Sequence, residues 1–423
     1  MNLKRRNFIQ LSTLAAGTAL TTGFKSRPSA GANEGTELPV NMTGDIKPIS
    51  LNERKERVAR AQSLLLQNKI EALILEGGTS MEYFTGISWW LSERTQVTII
   101  PAKGDIKYVC PAFEEDRFKE LISIGNPVYV WQEDENPYTQ IVRALNDSGI
   151  TSGKIGIEEE LRFFISDGIK KQAPQMEYVS GDPVTAPCRM IKSAAELALM
   201  QKASDITVAA MKTGISHLKE GVSATEISAI INRAHQQLGA TPDFALILFG
   251  EASALPHGSI KPQHLKKGDI VLMDCGCKVD GYCSDITRTI VFGAEPTKHQ
   301  LEIWNLEHKA QAAGFDTARI GNPCELVDAA ARKVITDAGF GPGYKLPGLP
   351  HRTGHGIGMD GHEWGNMVKG NQQVLQKGMC FSIEPTISIP GQFGVRLEDC
   401  VYMTEQGPKW FSRPAVSIQK PFV

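Results

Sequence analysis

From residue 50 onward the chain alternates short apolar runs with longer stretches of helical spacing. Ser50-Leu-Asn-Glu53 is a capping box, and the apolar positions behind it predict a helix to about Asn68. "EALILEG" then reads as a buried strand, "QVTIIPA" and "IKYVC" as two more, "FEEDRFKELIS" as a helix and "KIGIEEE" as a further strand. Strands interleaved with helices in this way predict an α/β domain over residues 50–182. The segment "GDPVTAPCRMIKS", with two prolines and a glycine, reads as a connection.

A second unit, residues 183–423, looks doubled. Ser193-Ala-Ala-Glu196 caps one helix and Ser223-Ala-Thr-Glu226 the next, and a hairpin follows from about Asp269 to Phe292. Thr297-Lys-His-Gln300 caps a third helix. Asn322-Pro323-Cys-Glu325 caps a fourth, with proline at the favoured first helical position, and a second hairpin runs from about Met379 to Met403. Two helix-helix-hairpin halves predict an α+β domain with an internal pseudo-two-fold, although the halves share no side-by-side identity. A site common to both belongs between them.

Composition changes this picture little. At 41% hydrophobic and 22% charged the chain is ordinary for a globular protein, and a formal net charge of −2 without a long basic run argues against nucleic acid or anionic membrane as a partner. The beginning is different. Arg5 and Arg6 precede a mild apolar run from Phe8 to Gly23, Lys25 and Arg27 follow, and Ala30-Gly31-Ala32 offers a small-x-small cleavage site. This resembles a twin-arginine export signal over residues 1–32, with a polar linker over 33–49. The run falls short of the about 20 strongly apolar residues that a membrane span needs, so the expectation is an exported, periplasmic protein with no stable span after signal removal. Its eight cysteines show no regular spacing and read as buried small hydrophobes.

Candidate chemistry sits on the two hairpins. In "DIVLMDCGCKVDGYCSDITRTIV" the Asp280-Gly281 turn places Asp274 across from Thr287 and Asp285 across from Gly276, with both aspartates on one face, about 7 Å or less apart. Carboxylates that close repel, so a proton or a cation must lie between them, and Gly276 under Asp285 is expected to leave the space. Cys275 and Cys277 have the opposite parity and point away. The second hairpin repeats the pattern with Glu384 and Glu398 about a turn at Pro390 to Gly394. Arg396 shares the face of Glu398, able either to screen it or to hold a substrate carboxylate. Between the hairpins, "HRTGHGIGMDGHEWGN" carries three histidines on a backbone too rich in glycine for a steady helix. Two Asp, two Glu and one His suit two divalent ions such as Mn²⁺, Zn²⁺ or Co²⁺, and suit copper or an iron-sulfur centre poorly.

Asp274, Asp285, His355 in "TGHGIG", Glu384 in "IEP" and Glu398 in "RLED" resemble the five metal ligands of the pita-bread metallopeptidases. "GYCSDITRT", "HRTGHGIG", "GVRLED" and the "LPHG" that contains His257 are similar to the aminopeptidase P and prolidase branch, and "YFTGISWW" to its creatinase-type N-terminal domain. The resemblance implies two divalent ions, Mn²⁺ first, with Asp285 and Glu398 bridging and Glu384 handling the proton of the attacking water. It implies that His257 and His362 donate near the scissile bond and that His351 and Arg396 lie on the substrate side. The substrates implied are short peptides with proline at the second position, and the assembly a homodimer or higher homo-oligomer. Creatinase has this fold without the metal ligands; all five are present here. Thr386, where the family usually has glycine, and "GHEWGN" depart from the pattern and bear on substrate preference. They leave as rivals a hydrolase or lyase acting on a non-peptide small molecule and a non-enzymatic peptide clamp.

Overall fold

The computed structural model describes residues 40–423, and the export signal expected over residues 1–32 lies outside them. Ser50 opens α1 (Leu51–Asn68), its Oγ accepting the Glu53 amide at 3.1 Å. The return half of the expected capping box is missing because Glu53 instead accepts from Arg57 at 2.9 Å and from Ser193 at 2.7 Å. A six-stranded sheet follows, made of β1 (Ala72–Glu76), β2 (Val97–Pro101), β3 (Lys107–Pro111), β4 (Val128–Trp131), β5 (Gly153–Ile157) and β6 (Met176–Ser180). Its order is β4-β3-β2-β1-β5-β6, with β1 antiparallel to β2 and parallel to β5. Every residue of β1 and β2 is buried, so these strands read as unbroken apolar runs rather than alternations. Around the sheet lie α2 (Thr79–Thr85), α3 (Glu115–Leu121), α4 (Pro137–Asn146) and α5 (Phe163–Gln172).

The segment read as a connection is a helix, α6 (Asp182–Met190). Pro183 falls in its first turn, where no amide is needed, and burial of Val184, Thr185 and Cys188 outweighs the bond that Pro187 forfeits.

In the second unit, complete capping boxes start α7 (Ala194–Ser216) and α8 (Ala224–Gln237). A strand that the sequence pattern does not announce, β7 (Thr241–Phe249), precedes the first hairpin of β8 (Ile270–Val279), β9 (Tyr282–Cys283) and β10 (Ile286–Val291). The second half repeats the scheme from α9 (Lys298–Thr317), again with a full capping box. The start of α10 (Cys324–Asp337) differs from expectation: Pro323 is the cap residue, and the Asn322 side chain donates to Thr317 O at 2.9 Å instead of capping. Then come β11 (Gly354–Gly356), β12 (Glu363–Met367), β13 (Cys380–Ile383), β14 (Thr386–Ile389), β15 (Phe393–Arg396), β16 (Asp399–Thr404) and β17 (Gly407–Trp410).

The first half gives a sheet ordered β10-β8-β7 and the second one ordered β12-β11-β13-β16-β17. Within the latter, β16-β13-β11 repeats β10-β8-β7, which is the pseudo-two-fold expressed in strands. The halves meet where the Thr287 and Glu398 amides each donate to the other's carbonyl at 3.2 Å. All eight cysteines are buried and free. Among the described residues no helix is long and apolar enough to cross a membrane.

Candidate metal centre

The site lies at two matching interruptions in the hairpins. In the first, Asp274 pairs with Thr287, and the same register holds from Ile286 opposite Cys275 to Val279 opposite Tyr282. Asp280 and Gly281 make the turn, both at positive φ (47° and 83°). Between β9 and β10 the ladder is interrupted at Ser284 and Asp285, where Ser284 N still donates to Cys277 O at 3.0 Å but the Cys277 amide turns to the Ser284 hydroxyl at 3.1 Å. In the second, one register runs from Cys380 opposite Tyr402 to Ile389 opposite Phe393, but pairing lapses at residues 384–385. Glu384 and Glu398 are the formal partners at that lapse. The expected single hairpin is therefore two, and each gap turns its carboxylates toward the other half of the domain.

Gly276 plays a different part from the one expected. A Cβ there would stand 2.4 Å from Ser284 O and 2.5 Å from the Phe244 ring, so the missing side chain admits backbone and aromatic contact rather than a cation. The groups able to share a cation with Asp285 come instead from the second half, His355 and Glu398.

There His355, on β11, faces the acids. Its amide donates to Ser382 Oγ at 3.0 Å, and its Nδ1–H donates to Gly356 O at 3.0 Å. This fixes Nδ1 as a donor and turns Nε2 toward the acids, 3.1 Å from Glu384 Oε1, to which it donates when protonated, and 3.6 Å from Asp285 Oδ2. One ligand-type atom from each of Asp285, His355 and Glu398 lies within 4.8 Å of the others, and all three side chains are buried. Asp274 joins through Arg396, whose Nη2 donates to it, while Arg396 Nε donates to Thr287 Oγ1 at 3.1 Å and the Thr287 hydroxyl donates to Glu398 Oε2 at 2.7 Å. Of the two roles open to Arg396, its charge does screen Glu398, but without a direct pair, since Nη2 is on Asp274 and Nη1 donates to Pro256 O at 3.2 Å.

Burial, with repulsion from Asp274 and Glu384 and between the two groups themselves, pushes the carboxyls of Asp285 and Glu398 well above their ordinary range. Burial also opposes ionisation of Glu384, but His355, His351 and Arg396 outweigh it and hold this carboxyl down to about 2. Asp274 Oδ1, Asp285 Oδ1 and Glu398 Oε1 are buried without a hydrogen-bond partner among the described residues. Unpartnered carboxylate oxygens in a dry site are costly unless a cation satisfies them. Together with an imidazole whose Nε2 faces them and ligates once deprotonated, they fit divalent metal.

The other three histidines differ in exposure. His257 is exposed in the turn after Ala254. His362 is also exposed; its ring lies 4.0 Å, centre to centre, from that of His355, and its Nδ1 accepts from Arg352 at 3.4 Å, so the neutral ring carries its proton on Nε2. Desolvation and the neighbouring His355 lower it to about 4, so it is neutral at physiological pH. His351 is half-buried and lowered by desolvation; its Nδ1–H donates to Arg352 O at 2.7 Å, so Nε2 accepts the Thr386 hydroxyl at 3.0 Å. The threonine noted as a departure in sequence is thus the hydroxyl that holds His351. Thr287 and Arg352, in contact with the acids and with His362, were not singled out as site residues. For Thr287 the signal was available, since register already placed it opposite Asp274.

The sequence profile of Metallopeptidase family M24 matches residues 198–405, and that of the Creatinase/Prolidase N-terminal domain matches residues 57–191. An uncharacterised peptidase of Schizosaccharomyces pombe is 37% identical over 385 residues, 86% of this chain and 82% of its own. Among solved structures, dipeptidase PepE of Mycobacterium ulcerans superposes with a TM-score of 0.80 at 30% identity, covering 87% of this chain and 98% of its own. A recombinant prolidase of Thermococcus sibiricus superposes at 0.78 and 29%, covering 85% and 97%. With the buried acid and histidine cluster, these likenesses make the protein a member of metallopeptidase family M24, a metal-dependent peptidase with a creatinase-type N-terminal domain on a pita-bread catalytic domain.

Proposed function

We propose that the enzyme hydrolyses the bond between an N-terminal residue and proline in short peptides, as a prolidase or an aminopeptidase P. The observation that carries this reading is the set of buried, unpartnered carboxylate oxygens around His355 Nε2, with the exposed His362 ring against that of His355. The likeness to the Thermococcus prolidase supports the choice of substrate.

In this reading Asp274, Asp285, His355, Glu384 and Glu398 hold two divalent ions, Mn²⁺ first with Zn²⁺ or Co²⁺ as alternatives, which supply Lewis acidity and a water acidic enough to attack near neutral pH. Glu384 is held ionised. Its Oε1 is engaged by Ser382 at 3.1 Å, so Oε2 takes the water's proton and returns it to the leaving proline nitrogen. His362 donates through Nε2–H, with His257, to the carbonyl oxygen as charge grows there, a contact worth roughly 2.7–4 kcal/mol. His351, kept as an acceptor-bearing imidazole by Arg352 O, and Arg396, anchored on Asp274, border the substrate from the second half. The same reading includes export of the mature chain and assembly as a homodimer or higher homo-oligomer, checked by fractionation and light scattering.

The test is hydrolysis of Xaa-Pro dipeptides against Xaa-Pro-Xaa tripeptides by mature protein with added Mn²⁺, Zn²⁺ or Co²⁺, beside Glu384→Ala. Metal-dependent cleavage, lost in the variant, is the expected outcome, and the length preference separates prolidase from aminopeptidase. Silence on both substrates with metal still bound would sink the Xaa-Pro assignment in favour of a non-peptide small molecule.

A further inference from the structure

His362 has an unusual support. It lies in Gly358-Met-Asp-Gly-His-Glu363, a stretch whose glycines leave the backbone free, and its one side-chain hydrogen bond is the long contact to Arg352. What holds the stretch is the pair of acids that flank it. Glu363 Oε1 accepts the amides of Met359 at 3.0 Å and Asp360 at 3.3 Å, closing the loop on itself. Gly358 has to be glycine for this, since a Cβ there would stand 2.6 Å from the Glu363 carboxylate. The closed loop is then gripped from outside. Arg189 Nη2 donates to Asp360 Oδ2 at 2.5 Å and to Glu363 Oε1 at 2.7 Å, and Lys192 donates to Glu363 Oε2 at 2.7 Å. Thr79, the first residue of α2, donates to Asp360 Oδ1 at 2.6 Å, and Arg189 Nη1 reaches Ser80 Oγ at 3.1 Å. The Arg189 guanidinium is buried and also covers the Trp364 ring at 5.2 Å.

A plain structural ion network would need neither the reach from α2 nor a loop closed around one exposed histidine. We propose that Arg189 and Thr79 are positioning residues for His362: through Asp360 and Glu363 they form a latch, carried by the N-terminal sheet unit and α6, that sets the His362 ring against His355. The inference rests on the reading that His362 meets the substrate. It gives the N-terminal unit a role in catalysis without any contact to the reacting atoms.

Because Arg189 is buried between two acids, its replacement risks the fold, so the test uses the partly exposed end of the latch. Thr79→Val, Thr79→Ser and Asp360→Asn are compared with wild type in the full chain, by steady-state hydrolysis of a cleaved dipeptide and by amide hydrogen exchange of residues 354–366. The expected result for Thr79→Val and Asp360→Asn is a kcat lowered about 10- to 100-fold with KM nearly unchanged, and faster exchange over 359–363 even without metal. Thr79→Ser restores both. Combined with His362→Ala, the two substitutions cause no further loss. Losses that multiply in the His362→Ala background, or exchange unchanged in Thr79→Val, would overturn the latch. If His362→Ala alone leaves kcat intact, the assignment of His362 to the substrate falls first, and the positioning role with it.

Discussion

At the scale of single residues the centre is a set of acids that cannot all be charged by themselves. Asp285 and Glu398 are pushed above the carboxylate range because both are buried, with Glu398, Asp274 and Glu384 repelling the first and Glu384 and Asp274 repelling the second. Asp285→Asn removes one contender without changing shape. Its metal-free stability at neutral pH should therefore not fall below wild type. With free metal at 100 times Kd the wild-type protein gains about 2.7 kcal/mol, and the variant should gain none at that concentration. Thermal melts with and without Mn²⁺ check this; a metal-induced shift retained in Asp285→Asn would remove it from the ligand set. The place of the carboxylates was legible in the sequence because hairpin register is arithmetic once the turn is known, and Asp280-Gly281 announces the turn. Their depth was not legible. Register placed Thr287 opposite Asp274 and Thr386 stood out as a departure, but that Thr287 joins Arg396 to Glu398 and Thr386 holds His351 shows only when the second half of the domain is folded.

At the scale of elements, what joins the two hairpins is Arg288. Its guanidinium is fully buried, pairs with Asp399 at 2.7 Å, and donates to the carbonyls of Thr287 at 3.0 Å and Glu398 at 2.9 Å. It serves Asp399, 111 residues away, and neither Asp274 nor Asp285. Arg288→Met should cost about 3–5 kcal/mol in urea unfolding, because Asp399 is left charged and buried. Arg288→Met with Asp399→Leu should recover most of that loss, and a strictly additive pair would contradict the linkage. Helices α7, α8 and α9 were legible through their capping boxes, which act locally. Strand β7 was not, since Pro242 and Asp243 break its pattern and only its pairing with β8 makes it a strand. Nor was α6, whose prolines argue against the helix that tertiary burial imposes.

At the scale of the whole molecule, the most consequential buried charge outside the centre is Glu363. Burial opposes its ionisation, but Lys192 and Arg189 prevail and hold it down to about 2 from an ordinary 4.5. An unfolded chain takes up the proton near pH 4.5 and the folded one only near 2. The stabilisation, on the order of 3 kcal/mol, is therefore complete above about pH 4.5 and is lost as the pH falls toward 2. Glu363→Gln should flatten that part of the pH–stability curve and be less stable at neutral pH; a wild-type slope in the variant would show that other acids carry it. Doubling of the second unit was legible from its order of helices and hairpins, whereas the grip of α2 and α6 on the histidine loop depends on partners that no local pattern connects. The eight buried, unpaired cysteines carry a further consequence. Once folded, the chain presents no thiol to an oxidant, so its covalent structure is the same in a reducing or an oxidising compartment. The unfolded chain has no such protection, and eight accessible thiols could pair in many wrong ways. Folding in reducing surroundings avoids those wrong pairings.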